Sequence, residues 1–210
     1  MPNSRRALAS IAGSLFLTLG SYGAAQATLI PTLGSVAPSG GNFLWSYDVS
    51  LALDQNATGG PAQSANPVPL SSGTGDFLTI YDFNGFVTGS CVAPTGWMCQ
   101  TQALGFTPNT QIPADSASLT NLTFTRTGAT LTGPVADLGD FGAQSTFDAM
   151  IAGTFTSRGT KNEGMLAGTK IDSVGQVSVP SPVPEPATLL LLGSTMAGLG
   201  ALLRRRREEK

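Results

Sequence analysis

The amino-acid sequence predicts a mainly β protein whose central part is an antiparallel β-sandwich, jelly-roll-like or similar. Three observations predict it. Apolar and polar residues alternate at period two in several short stretches, the pattern of a half-buried strand. Clusters of Gly, Pro, Asn, Asp and Ser separate those stretches. No stretch between the two ends sustains a helical period; the nearest, Ala136 to Ala143, is short and carries two glycines.

Both ends are set apart from the fold. Residues 1–27 carry Arg5 and Arg6, then an apolar run from Ala7 to about Leu19, then Ala25-Gln26-Ala27. A basic start, a short apolar core and small residues at the −3 and −1 positions are the three parts of a cleavable signal peptide, with cleavage expected after Ala27. The apolar run is short for a membrane span, which favours cleavage over anchoring. Arg5-Arg6 alone is weak support for a twin-arginine route.

Residues 28–179 form the expected β domain. Little order is expected over 28–40. In Phe43–Leu53, Phe43, Trp45, Tyr47, Val49, Leu51 and Leu53 share one face. Asp54 to Thr74 is rich in Gly, Pro, Ser and Asn and reads as a long disordered loop. Phe77–Phe83 is the next strand, with Phe77, Tyr81 and Phe83 expected on one face. Asn84-Gly85 before Phe86-Val87 then predicts a hairpin turn. Further strands are expected at Leu119–Thr125, at Phe147–Thr156 with Phe147, Ala149, Ile151 and Phe155 on one side, and at Lys170–Val179 with Ile171, Val174, Val177 and Val179.

Charge and composition narrow the chemistry. The chain has no histidine, so a Ser-His-Asp triad or a histidine-containing zinc site cannot be built from it alone. Between residues 28 and 183 stand four cations (Arg126, Arg158, Lys161, Lys170) against nine Asp and Glu163, a net charge of 4 − 10 = −6. A body that acidic neutralises few phosphates, so nucleic acid is not an expected partner. No cofactor is expected.

Several side chains are candidates for a site, each with a plainer explanation. Cys91 and Cys99, the only cysteines, most simply close a disulfide loop in an oxidising compartment; a redox pair or half a metal site is the alternative. Asp76, Asp82 and Asn84 could offer oxygens to calcium, although they lack EF-hand spacing. Asp137, Asp140 and Asp148 could supply carboxylates for glycoside hydrolysis, although surface loops explain them as well. Asn56-Ala57-Thr58 and Asn121-Leu122-Thr123 match a glycosylation pattern. Trp45, Tyr47 and Tyr81 read as core. Trp97, inside the cysteine loop, could be exposed and contact a ligand.

The tail carries the strongest pattern. Residues 180–186 form a proline-rich linker ending in Pro184-Glu185-Pro186. Ala187–Leu203 is a run of 17 residues without charge, about 25 Å as a helix, long enough for a single transmembrane segment. Arg204, Arg205, Arg206 and Arg207 then stop transfer and stay cytoplasmic, with 204–210 as the basic tail. Motif, apolar helix and basic cluster, in that order at the C-terminus, resemble the PEP-CTERM sorting signal of exosortase substrates. That tail also goes under the label "ice-binding protein C-terminal domain", which describes the tail and not a ligand. The resemblance covers about 27 residues. It implies a precursor held in the inner membrane, an exosortase-type enzyme that cuts near the motif, and a Gram-negative-type envelope that often makes exopolysaccharide.

The function expected is therefore a non-enzymatic exported protein, sorted to the cell surface or extracellular matrix, with the membrane, the processing enzyme and exopolysaccharide as partners. The alternatives are an exported carbohydrate- or calcium-binding module and, further off, a secreted hydrolase.

Overall fold

The computed structural model describes residues 28–62, 73–108 and 110–182. The signal segment with Ala25 and Ala27, residues 63–72 of the long loop, the motif Pro184–Pro186, the segment 187–203 and the arginines 204–207 lie outside the described residues.

Ten strands build two antiparallel sheets. The first sheet has the order β1 (Leu29–Ser39), β2 (Asn42–Leu51), β8 (Asp140–Ser145). The second runs β5 (Trp97–Gln102), β6 (Thr120–Arg126), β4 (Phe77–Phe83), β9 (Met150–Lys161), β3 (Gln55–Ala57), β7 (Leu131–Thr132), with β10 (Lys170–Pro180) also bonded to β9. A strand has two edges. β10 occupies one edge of β9 along its whole length, so β4 (at Phe155–Arg158) and β3 (at Thr160–Lys161) lie end to end along the other. The one helical element among the described residues is a 3-10 turn at Gly164–Leu166, so no helix there is long and apolar enough to cross a membrane.

The inward faces of the two sheets share one apolar core, as expected of a sandwich. Trp45, Tyr47, Val49, Leu51, Phe141 and Ala143 of the first sheet meet Leu78, Ile80, Phe83, Leu122, Phe124, Phe155, Val177 and Val179 of the second. Edge-to-face aromatic contacts run through it, Phe124 on Phe141 at 5.2 Å and Trp45 on Phe83 at 6.3 Å between ring centroids. Within the first sheet, Gly142 lets β8 lie close against β2; a Cβ there would stand 2.2 Å from the Trp45 carbonyl oxygen.

The outer face of the second sheet is covered as well, so β4 is buried on both sides. The segment after β5 crosses over Phe77, Thr79 and Tyr81. Thr79 Oγ1 donates to the Phe106 carbonyl at 2.9 Å. The Tyr81 hydroxyl lies 3.1 Å from that carbonyl, 2.9 Å from Thr107 Oγ1 and 2.9 Å from Thr156 Oγ1. Asp115 holds the segment at Gly105 N and Asn121 Nδ2, 2.8 and 2.9 Å away.

Several expectations need correcting. Gln55–Ala57, expected within a disordered loop, form β3 because β9 and β7 pair with them, and Leu53, expected on the apolar face, lies beyond the end of β2 and is 65% exposed. Within residues 28–40, Leu29–Ser39 form β1, an edge strand that tolerates Pro31 and Pro38 because its outer edge has no strand partner among the described residues. Phe83 does not share a face with Phe77 and Tyr81. Asp82 adopts φ +54°, the register against β6 shifts between Ile80 and Phe83, and the resulting bulge turns Phe83 into the central core. Asn84-Gly85 makes a turn but no hairpin: Phe86 bridges to Ser145 of β8, so the chain crosses to the other sheet. Finally, Val174, opposite Thr156, points outward and is 49% exposed, whereas Ile151 lies on the Phe155 face opposite the buried Val179, as expected, but beyond the edge of the core, 54% exposed.

Burial raises the Tyr81 phenol from its ordinary 10 to about 12. The folded state then holds a proton that the unfolded chain releases between those values, so stability present below pH 10 is lost as pH rises toward 12. Two pH units correspond to about 2.7 kcal/mol. Tyr81→Phe is expected to flatten the alkaline limb of the stability curve by an amount of that order, measured by urea denaturation from pH 8 to 12.

Candidate functional site

The end of β10 is where the folded domain meets the tail. β10 pairs with β9 residue by residue as far as Pro180 opposite Met150, and Ser181 N donates to the Ala149 carbonyl at 2.8 Å. Two contacts pin this last stretch. The Tyr47 hydroxyl reaches across from the first sheet to the Ser178 carbonyl at 3.0 Å. Val179 packs over Gly153, where a Cβ would stand 2.6 Å from its methyl. Proline at 180 and 182 lacks the N–H that further pairing needs. Only Pro182 and Val183 separate Ser181 from Pro184. At up to 3.6 Å per residue, the motif begins within about 11 Å of the last strand hydrogen bond. Beside this exit Met150 and Ile151 stand 59% and 54% exposed.

The cysteines form the expected disulfide, with Cα atoms 6.2 Å apart. Its position is more informative than its loop length. Val92, next to Cys91, exchanges backbone hydrogen bonds with Gly142 of β8, at 2.8 and 3.0 Å. Cys99 lies in β5, opposite Phe124 of β6. The bridge therefore ties an edge of the first sheet to an edge of the second. Trp97, expected as an exposed ligand contact, is only 8% exposed. Pairing with Arg126 of β6 aims its ring inward, edge-on to Phe141 at 5.2 Å, with the Arg126 guanidinium 5.6 Å from its centroid.

The three calcium candidates are not brought together. Asp76 precedes β4 whereas Asp82 and Asn84 lie at its far end, roughly 20 Å away at about 3.3 Å per residue. Asp76 is wholly buried. Its Oδ1 accepts from Lys170 Nζ at 2.6 Å, and its Oδ2 from Thr58 N at 2.7 Å and Thr160 Oγ1 at 2.8 Å. Burial outweighs these partners and lifts its carboxyl above the usual aspartate range. Asp82 accepts from Ser116 N at 3.0 Å, and the Asn84 carbonyl accepts from Ser145 Oγ at 2.7 Å.

The hydrolase candidates are likewise dispersed. Asp137, Asp140 and Asp148 are all exposed. Asp137 caps its own turn, accepting from Gly139 N at 2.8 Å. Asp140 sits opposite Asp48 across β8 and β2. No group of three or more acidic or cysteine side chains converges among the described residues. Asn121, with 0% exposure, is inaccessible to a glycosyl donor in the folded chain.

Sequence reasoning missed how the cations are used. Arg158 pairs with Asp172 at 3.0 Å, Lys170 with Asp76, and Lys161 with Asp54. Arg126 donates to the Ala129 carbonyl through Nε and Nη2, at 2.9 and 2.6 Å. A body with only four cations hints at internal use, but the partners lie up to 107 positions apart in sequence. Consequently every fully exposed charged side chain among the described residues is acidic: Asp48, Asp137, Asp140, Asp148 and Glu163.

Comparison with protein-family models gives one match, the PEP-CTERM protein-sorting motif, over residues 182–207. It begins one residue after the last strand hydrogen bond at Ser181. Searches of the curated proteins and of the solved structures found no significant match.

Two outcomes test the role of these contacts. Lys170→Met, which leaves the buried Asp76 without its counter-charge, is expected to cost about 3–5 kcal/mol at neutral pH by chemical denaturation. Removing the disulfide as a double Cys→Ser variant is expected to cost about 2–3 kcal/mol. It should also alter Trp97 emission, because that ring is packed by the loop the bridge closes.

Proposed function

We propose, from the PEP-CTERM protein-sorting motif that the chain carries at residues 182–207, that this protein is a non-enzymatic component of the cell surface or extracellular matrix, associated there with exopolysaccharide. The sorting motif indicates an exported protein, processed by an exosortase from a membrane-associated precursor at the cell envelope. In the proposed sequence of events the signal segment is removed after Ala27, the sandwich folds outside the cytoplasm, and the tail holds it until processing at Pro184-Glu185-Pro186.

The observation that carries the reading is the junction at Ser181. A closed sandwich ends its last strand there, and the sorting motif follows without a further domain between them. The N-terminal side agrees. Thr28, the first residue after the expected cleavage, is fully buried, with Oγ1 3.0 Å from Ser157 Oγ and its carbonyl accepting from Ala52 N at 3.2 Å. A chain that starts at Thr28 thus starts flush with the fold.

A structural role is supported by how the titratable groups are spent. Asp54, Asp76 and Asp172 are bound to cations within the domain, and the remaining carboxylates are dispersed. The exposed charge is negative, so the surface repels polyanions and suits a neutral, hydroxyl-rich polymer.

Intact mass of the native protein from each cell fraction tests the proposal. The expected product starts at Thr28, lacks Arg204–Arg207 and carries the disulfide. A mass that retains Arg204–Arg207 in every fraction would overturn it. Glu185→Ala is expected to leave the precursor uncut and membrane-bound, read by the same measurement.

A further inference from the structure

The geometry of the C-terminal exit points to a docking surface for the processing enzyme itself: we propose that the Met150–Ala152 end of β9 binds the exosortase while the motif is being processed. The inference rests on the sorting reading above and adds to it a contact outside the motif.

The first argument is reach. An enzyme that acts at Pro184–Pro186 works within about 11 Å of Ser181, whose N–H is still bonded to Ala149. Protease-like clefts hold several extended residues on each side of the bond they act on, and only Pro182 and Val183 lie in sequence between Ser181 and the motif. The enzyme must therefore rest against the end of the β9–β10 pair or pull β10 out of it. Pulling is resisted by the buried Val179, by Tyr47 on the Ser178 carbonyl and by the whole β9 ladder.

The second argument is what this end exposes. β4 takes up β9 only from Phe155, so over Met150–Thr154 the edge away from β10 has no strand partner among the described residues. An unpaired edge is a ready template for an incoming strand. Met150, Ile151 and Ala152 are consecutively exposed along it, without a charge among them. The nearest exposed charge in sequence is Asp148. The surface thus fits a partner that offers an apolar rim and backbone groups to pair, chemistry that a membrane-embedded enzyme presents just above the bilayer. The tail delivers this end of the domain, and not the opposite one with Thr28 and Leu53, to that level.

The test is the processing rate of the full chain by pulse–chase in a host that supplies an exosortase. One variant carries Met150→Ser and Ile151→Ser. A second carries six Gly/Ser residues between Pro182 and Val183. A control carries Met165→Ser and Leu166→Ser, equally exposed residues in the turn beyond β9. Docking predicts that the first two variants are processed at least threefold more slowly than the wild type, with unchanged melting temperature, and the control at the wild-type rate. Wild-type rates for the Met150/Ile151 variant, or faster processing after insertion, would overturn docking and make the folded end a mere obstacle. Absence of processing in wild type and control alike would overturn the sorting reading, and docking with it.

Discussion

The hydrogen-bond ladder of β9 is the constraint on which the second sheet depends. One strand of twelve residues accepts β10 along one edge and β4 and β3 in series along the other. Elements from residue 55 to residue 180 are thereby gathered on a single backbone. Phe155 from this strand enters the shared core, while Thr156 and Arg158 serve the covered outer face through Tyr81 and Asp172. Loss of β9 would free both faces at once, because neither sheet buries its apolar side without the other.

Few cations in an acidic chain pose a second constraint, and the fold meets it by turning them inward. Two ion pairs are essentially dry, Arg158–Asp172 and Lys170–Asp76. Such pairs gain little over a well-packed apolar alternative but penalise any arrangement that separates them. Lys170 opens β10 and Asp76 precedes β4, so their pair holds the β10 register against the sheet at the end opposite the exit. The exposed charge among the described residues is left acidic, at Asp48, Asp137, Asp140, Asp148 and Glu163.

These constraints bear on sorting through the exit. β10 is bonded to its last residue, so little slack lies between the rigid domain and the motif. A flexible linker would decouple recognition of the tail from the domain that precedes it; a short one makes the two a single object for any enzyme that acts there. The open edge of β9 lies at this junction because the bulge at Asp82 ends the β4 ladder before Met150–Thr154 is reached.

The sequence by itself determined the sorting motif at the C-terminal end and the structural class. A Pro-Glu-Pro, apolar, basic finish is a linear signal, so no tertiary contact is needed to recognise it. Period-two alternation placed most strands, since side-chain alternation is local to a strand, and the oxidising route sufficed for the Cys91–Cys99 bridge. Only the tertiary structure decided which strands pair, that Pro31 and Pro38 sit in an edge strand, that Trp97 faces inward and that Ile151 stays exposed. Those outcomes turn on which neighbour lies across each strand: β6 turns Trp97 into the core, and the shared core ends before Ile151 is reached. Partners dozens of residues apart in sequence are chosen by the whole packing, and no local pattern encodes them.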